Sequence, residues 1–291
     1  MYYKKLKTRS FSKLLKKQTI TEDDLIYYLQ LIYSTSAFST FPYLIDHKNS
    51  KQSLKYNCGN CVSLAMTIQK YLKKEKKVIS YLIPATIPNS ISFEGYLDIS
   101  HVALAIPYSK TGVFIVDPAF YFLGPIDINL SNLPHKNSPI LKSKIYSGKT
   151  TEIFSSSYKL SKKMVLNKYQ TIAKNTVVCK CIEEDETWMY FLTEILNPDE
   201  AISTFFINIR KLPFITTTEL DDDGVCKRRL DLRIKPDNQI DITFKNNNVY
   251  SGDITNIPTP TYVILDWEIG RFFEKDILSS LETKIAGPYF F

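Results

Sequence analysis

The chain has 291 residues, 44% hydrophobic and 13% aromatic, enough to bury a sizeable core and to build two or three modules. Its longest apolar runs fall well short of the roughly 20 residues that a membrane-spanning helix needs, and the N-terminus lacks the apolar stretch of a secretory signal, so the sequence reads as a soluble cytoplasmic protein. Its net charge of +7 is concentrated at the start, which leaves the rest of the chain formally neutral and points away from nucleic acid as the general partner.

Lys4, Lys5, Lys7, Arg9, Lys13, Lys16 and Lys17 make up that basic arm, with no acid among the first twenty residues. The pattern suits a solvated helix face; its other use would be to tether residues 1–20 to a membrane surface, RNA or an import machinery. Ile20-Thr21-Glu22-Asp23-Asp24-Leu25 then reads as a capped helix start, with Thr21 as N-cap and Leu25, Leu29 and Ile32 at helical spacing. A loop rich in Ser, Thr and Phe follows, through Phe38, Phe41-Pro42 and His47 to Gln52. It leads to Tyr56-Asn57-Cys58-Gly59-Asn60-Cys61. From Cys61 the apolar positions Leu64, Ala65, Ile68 and Leu72 predict a helix whose buried stripe is in line with Cys61.

Beyond Val78 the periodicity shortens, and residues 78–83, 102–106 and 113–116 read as strands. The last two are joined by Pro107-Tyr108-Ser109-Lys110-Thr111-Gly112, which predicts an antiparallel hairpin. Counting outward from that turn brings His101 and Asp117 to the same end of the pair. Residues 124–160 are loop-rich, with room for one or two strands, and 176–182 alternates as a strand. The last third predicts a helix around Trp188 to Leu196 and strands at 214–220 and 226–234 across an Asp221-Asp222-Asp223-Gly224 turn. A strand at 241–244, a polar turn at Asn246-Asn247-Asn248 and a closing helix from Trp267 to Leu281 complete it.

Five cysteines, Cys58, Cys61, Cys179, Cys181 and Cys226, form no disulfide framework and suit a reducing compartment. Cys58-x-x-Cys61 and Cys179-x-Cys181 could be drawn as a zinc site, but the second pair is too tight and no His lies close, so no metal is expected. The stronger constellation is Cys61, His101 and Asp117. A thiol is a weak nucleophile until deprotonated, and a helix N-terminus together with a nearby imidazolium favours the thiolate. Gly59 lets the backbone turn into the helix, with the first-turn amides facing an incoming carbonyl oxygen. Asp117 would hold the His101 ring in its useful tautomer. Cys58, ahead of Gly59, falls in the approach loop and is the weaker nucleophile candidate; His47 and His135 lie in loops without a following carboxylate-bearing strand.

These residues resemble a known group. Gly-x-Cys opening a helix, His before an apolar strand and Val-Asp closing the next are similar to the core of transglutaminase-like thiol enzymes, and most of all to the arylamine N-acetyltransferases. Asp117-Pro118-Ala119-Phe120 with Gly124-Pro125-Ile126 resembles that family's Val-Asp-Val-Gly-Phe-Gly run and the Gly-Pro after it. Trp188-Met189-Tyr190-Phe191, Asn197-Pro198-Asp199, Leu212-Pro213-Phe214 and Gly270-Arg271-Phe272-Phe273 resemble its C-terminal third. The family's Arg-Gly-Gly-x-Cys is here Asn57-Cys58-Gly59-Asn60-Cys61, and bulkier residues follow the Asp. The resemblance implies a ping-pong reaction in which Cys61 takes an acetyl group from acetyl-CoA, a co-substrate rather than a resident cofactor, and passes it to an aromatic amine or hydrazine. Phe38, Phe41 and Tyr121 are the candidate aromatic walls of the substrate site.

The expected fold is α+β: a helical region with the nucleophile (1–80), a central antiparallel, barrel-like β domain with His101 and Asp117 (81–183), and an α/β lid domain (184–291). Two competing readings stand beside the acetyltransferase: a transglutaminase-like or peptidase-like thiol enzyme acting on protein amides, and a non-catalytic scaffold that binds through the basic arm.

Overall fold

The computed structural model describes residues 17–44, 49–53, 57–89, 99–129, 141–144, 150–156, 176–181, 186–192, 195–204, 214–220, 226–235, 237–244 and 247–270. The basic arm up to Lys16, His47, His135 and the Asp221–Gly224 turn lie outside them.

Helix α1 (Glu22–Thr35) starts where the cap predicts. Thr21 N–H donates to Asp24 Oδ2 and Asp24 N–H to Thr21 Oγ1, both at 3.1 Å, with three acids in the first turn. Its stripe Leu25, Tyr28, Leu29, Ile32 and Tyr33 is buried. Strand β1 (Ala37–Ser39), the single-turn helices α2 (Phe41–Leu44) and α3 (Ser50–Ser53), and β2 (Cys58–Gly59) occupy what the sequence presents as loop. Helix α4 (Cys61–Tyr71) follows and ends in a wider turn at Leu72–Lys76, with Lys77 in the left-handed region at φ 57°.

Strands β3 (Tyr81–Thr86), β4 (Ile99–Pro107), β5 (Gly112–Val116), β6 (Ile126–Asn129), β7 (Leu141–Lys144), β8 (Thr150–Ser156), β9 (Thr176–Cys181) and β10 (Glu186–Phe191) form one sheet. Its order is β6-β5-β4-β3-β10-β9-β8-β7, every described pairing is antiparallel, and the sheet curls into a half-barrel. The short helix α5 (Pro198–Thr204) leads on to β11 (Phe214–Leu220), β12 (Cys226–Ile234), β13 (Gln239–Phe244), β14 (Asn247–Asp253) and α6 (Thr259–Gly270). These four strands with β1 and β2 make a second sheet, β14-β13-β12-β11-β1-β2, in which only the described β1–β2 pair is parallel. The second sheet thus takes two strands from the first 80 residues, and the first takes β10 from beyond residue 184.

Three predicted elements are corrected. The apolar run expected as a helix from Trp188 is the strand β10, because it lies between β3 and β9 and is covered on both faces. Trp188, Tyr190 and Leu192 face one core cluster and Met189 and Phe191 the other, so the alternation that marks a half-exposed strand is missing. The polar Asn247-Asn248 opens β14, an edge strand whose solvent side needs no apolar residues. The closing helix begins at Thr259, with Val263, Ile264 and Trp267 exposed and Leu265 and Ile269 buried; residues 271–281 lie outside the described ones.

Candidate active site

Local sequence dictates why Cys61 opens α4. A Cβ on Gly59 would lie against Ser63 Oγ and Cβ and 2.7 Å from Ser53 Oγ, so no larger residue fits there without displacement. Asn60 is extended (φ −85°, ψ −173°) and its Oδ1 caps the helix by accepting from Ser63 N–H at 3.1 Å. Helix geometry then leaves the N–H groups of Cys61 and Val62 without an intrahelical acceptor. Cys61 is buried, at 3% exposure.

The hairpin count holds. Leu104 pairs with Val116 and Ala105 with Ile115, so continuation of the register places Asp117 opposite Ala103 and diagonal to His101, on the same face. His101 Nε2 lies 2.7 Å from Asp117 Oδ2, with both side chains buried. The Cys61 side chain lies close enough to the His101 ring to act on it electrostatically; with Nε2 committed to the carboxylate, Nδ1 is the nitrogen left for the sulfur. Burial alone would pull the imidazole pKa down, but the Asp117 carboxylate and Cys61 together push it up to about 10. The ring is therefore an imidazolium at neutral pH.

Asp117 is held from every side. Its Oδ1 accepts from the N–H groups of Ala119 (3.1 Å) and Phe120 (3.3 Å), and its Oδ2 from Tyr190 Oη–H at 2.6 Å as well as from His101. Tyr190 accepts in turn from Trp188 Nε1–H at 3.0 Å. Burial and then the Asp117 charge raise the Tyr190 phenol well above its ordinary pKa, so it remains a donor. The sequence reading missed Tyr190; once the run is recognised as a strand, the spacing Trp188, Tyr190, Leu192 puts it on the His101 face. Phe120 stacks on the His101 ring, with centroids 4.3 Å apart and planes 28° apart, and meets Trp188 edge-on at 5.4 Å.

The other candidate residues divide. Tyr121 has left-handed backbone (φ 54°), packs at 5.2 Å on Tyr33 and donates from its hydroxyl to Thr216 O on β11 at 3.2 Å. Phe38 is half-buried, stacks on Phe214 at 5.4 Å and packs against the cluster that holds Cys61 and Tyr121. Phe41 is instead 2% exposed within the second sheet's core, beside Ala37, Cys58 and Ile215. Cys58 shares that core, whereas Cys61 packs with the α1, α4 and half-barrel cluster. Among the described residues no group of His, Cys, Asp and Glu is arranged to hold a metal ion, and no helix is long and apolar enough to cross a membrane.

Searched as a sequence, the chain matches no family model and no curated protein. Its fold, however, matches solved structures. The arylamine N-acetyltransferase of Salmonella typhimurium superposes with TM-score 0.60 at 11% identity, over 96% of this chain and 99% of that one. Bacillus cereus arylamine N-acetyltransferase NAT3, which has a Cys-His-Glu catalytic triad, superposes with TM-score 0.54 at 18% identity, over 88% and 96%. The Mycobacterium marinum enzyme in complex with CoA superposes with TM-score 0.55 at 12% identity, over 91% and 92%. Over nearly its whole length, this chain has the arylamine N-acetyltransferase fold.

Proposed function

We propose that the protein is a thiol acyltransferase that moves an acetyl group from acetyl-CoA to an arylamine or hydrazine through a thioester on Cys61. The observation that carries this reading is the buried His101–Asp117 pair, 2.7 Å apart, with the cysteine that opens α4 close enough to raise the imidazole pKa. The fold adds support, and one enzyme of that fold holds CoA. In the first half-reaction the Cys61 thiolate attacks the thioester carbonyl. The N–H groups of Cys61 and Val62 face the developing oxyanion, the C–S bond to CoA breaks, and His101 supplies the proton that leaves with the CoA thiol. In the second, the amine nitrogen attacks the acetyl-Cys61 carbonyl, His101 Nδ1 takes the amine proton, and the Cys61 thiolate leaves an amide product. Asp117 keeps its charge next to the ring throughout, fixing the tautomer. Phe38 and Tyr121 wall the acceptor side, with Phe120 over the imidazole; Phe41 packs in the second sheet's core with Ala37 of β1.

Steady-state kinetics with acetyl-CoA and a panel of arylamines and hydrazines test the reading. Parallel double-reciprocal lines and an N-acetylated product are expected. The second reading, action on protein amides, draws on Ala119 and Tyr121 standing where the resembled family has glycines. Amide cleavage or amine exchange on a peptide, with no acetylated arylamine, would favour it instead.

A further inference from the structure

A second set of buried polar groups lies at the start of α4, and the proposed chemistry does not use it. Tyr43, Ser50, Ser53, Asn60 and Ser63 are each no more than 3% exposed. Three of their hydroxyls close a triangle: Tyr43 Oη to Ser63 Oγ at 2.6 Å, Ser53 Oγ to Ser63 Oγ at 2.6 Å, and Tyr43 Oη to Ser53 Oγ at 3.0 Å. Ser50 O lies 3.0 Å from both serine hydroxyl oxygens as an alternative acceptor for their protons, and Ser50 Oγ donates to Asn60 Oδ1 at 3.1 Å. The Tyr43 oxygen also accepts the backbone N–H of Asn60 at 3.0 Å.

That last bond matters most. Asn60 is both the residue bonded to the amide of Cys61 and the cap of its helix, and Tyr43 holds it from a different element, α2. Gly59, with no room for a Cβ between Ser53 and Ser63, is clamped by the same cluster. The backbone on the N-terminal side of Cys61 is thereby fixed at two successive residues by groups that carry no charge and stay neutral, since burial raises the Tyr43 phenol further.

We infer that Tyr43 is a positioning residue for the nucleophile: its hydroxyl, through the Asn60 N–H and the Ser53–Ser63 triangle, sets where the Cys61 sulfur meets His101. The inference rests on Cys61 being the reactive thiol, and not on the identity of the acyl donor or acceptor. A phenylalanine preserves the ring and removes the oxygen, so Asn60 N–H and two serine hydroxyls lose a partner while the His101–Asp117 pair is untouched.

The test is the rate of iodoacetamide alkylation at Cys61, followed by peptide mapping from mildly acidic to mildly alkaline pH, well below the thermal transition of each variant. Tyr43→Phe is expected to lower the plateau rate by roughly tenfold or more, as a misplaced reacting atom does, with the pH dependence unchanged in shape because the base is intact. In turnover, kcat should fall while KM for the acyl donor holds. Ser53→Ala, which leaves the Tyr43–Asn60 bond, should give a smaller fall in the same direction. A Tyr43→Phe protein that melts earlier but alkylates at the parent rate would overturn the inference and leave only a structural role. If Tyr43→Phe does not fold, Ser53→Ala decides, and a parental alkylation rate in it overturns the inference. A parent protein whose Cys61 reacts no faster than Cys226 would overturn both this inference and the thiol reading beneath it.

Discussion

Two buried polar clusters flank Cys61, and they are built on opposite principles. The His101–Asp117–Tyr190–Trp188 cluster, on the half-barrel, is charged: one carboxylate gathers four donors and raises the imidazole far above its ordinary pKa. The Tyr43–Ser50–Ser53–Ser63–Asn60 cluster, from the short helices and α4, is neutral and closes on backbone atoms of the turn into the helix. A charged cluster can move a proton, and its stability depends on pH; a neutral one can only hold shape. Thiol chemistry at one sulfur needs both, one to set its protonation and one to set its place.

The largest effect expected is on the charged side. Asp117→Asn keeps the volume but removes the charge and favours the wrong tautomer, so the acetylation rate of Cys61 should fall by roughly a thousandfold or more, read in single-turnover experiments. Tyr190→Phe takes one donor from the same carboxylate and should lower stability by about 1.5–3 kcal/mol in denaturant titrations. Its effect on rate should be smaller than that of Asp117→Asn, because three donors remain. On the neutral side, Gly59→Ala should cost about 1–3 kcal/mol by overpacking against Ser63 and Ser53. Gly59→Ala with Ser63→Gly should recover part of that loss, and additivity of the two would argue against the clamp.

The effect that separates the two clusters most cleanly is on pH dependence. Because the folded His101 pKa is raised from 6.5 to about 10, its contribution to stability is fully present below about 6.5 and is lost as pH rises through about 10. Melting temperature should therefore fall across that window in the parent and fall less in His101→Gln, while Ser53→Ala should follow the parent's slope.

Much of the charged cluster was legible in the sequence. Cys61 opens α4, Asp117 directly follows β5 and His101 lies near the start of β4, and the Pro107–Gly112 turn fixes the register that brings the last two together. Tyr190 was hidden, since a strand buried on both faces carries the same unbroken apolar run as a buried helix. The neutral cluster was hidden for another reason. Ser50, Ser53 and Tyr43 sit in helices of a single turn, too short for any periodicity, and only Gly59 signalled a tight approach without revealing to what. Strands β1 and β2, at three and two residues, are set by pairing with β11 and with each other rather than by their own pattern.

Cys61, and not Cys58 three residues before it, is the thiol proposed to carry the acyl group. Incubation with acetyl-CoA, followed by intact-mass measurement and peptide mapping, tests it directly. A single acetyl group is expected on Cys61, absent in Cys61→Ala and retained in Cys58→Ala. An acetyl group on Cys58, or no adduct on a Cys61 that iodoacetamide labels readily, would contradict it.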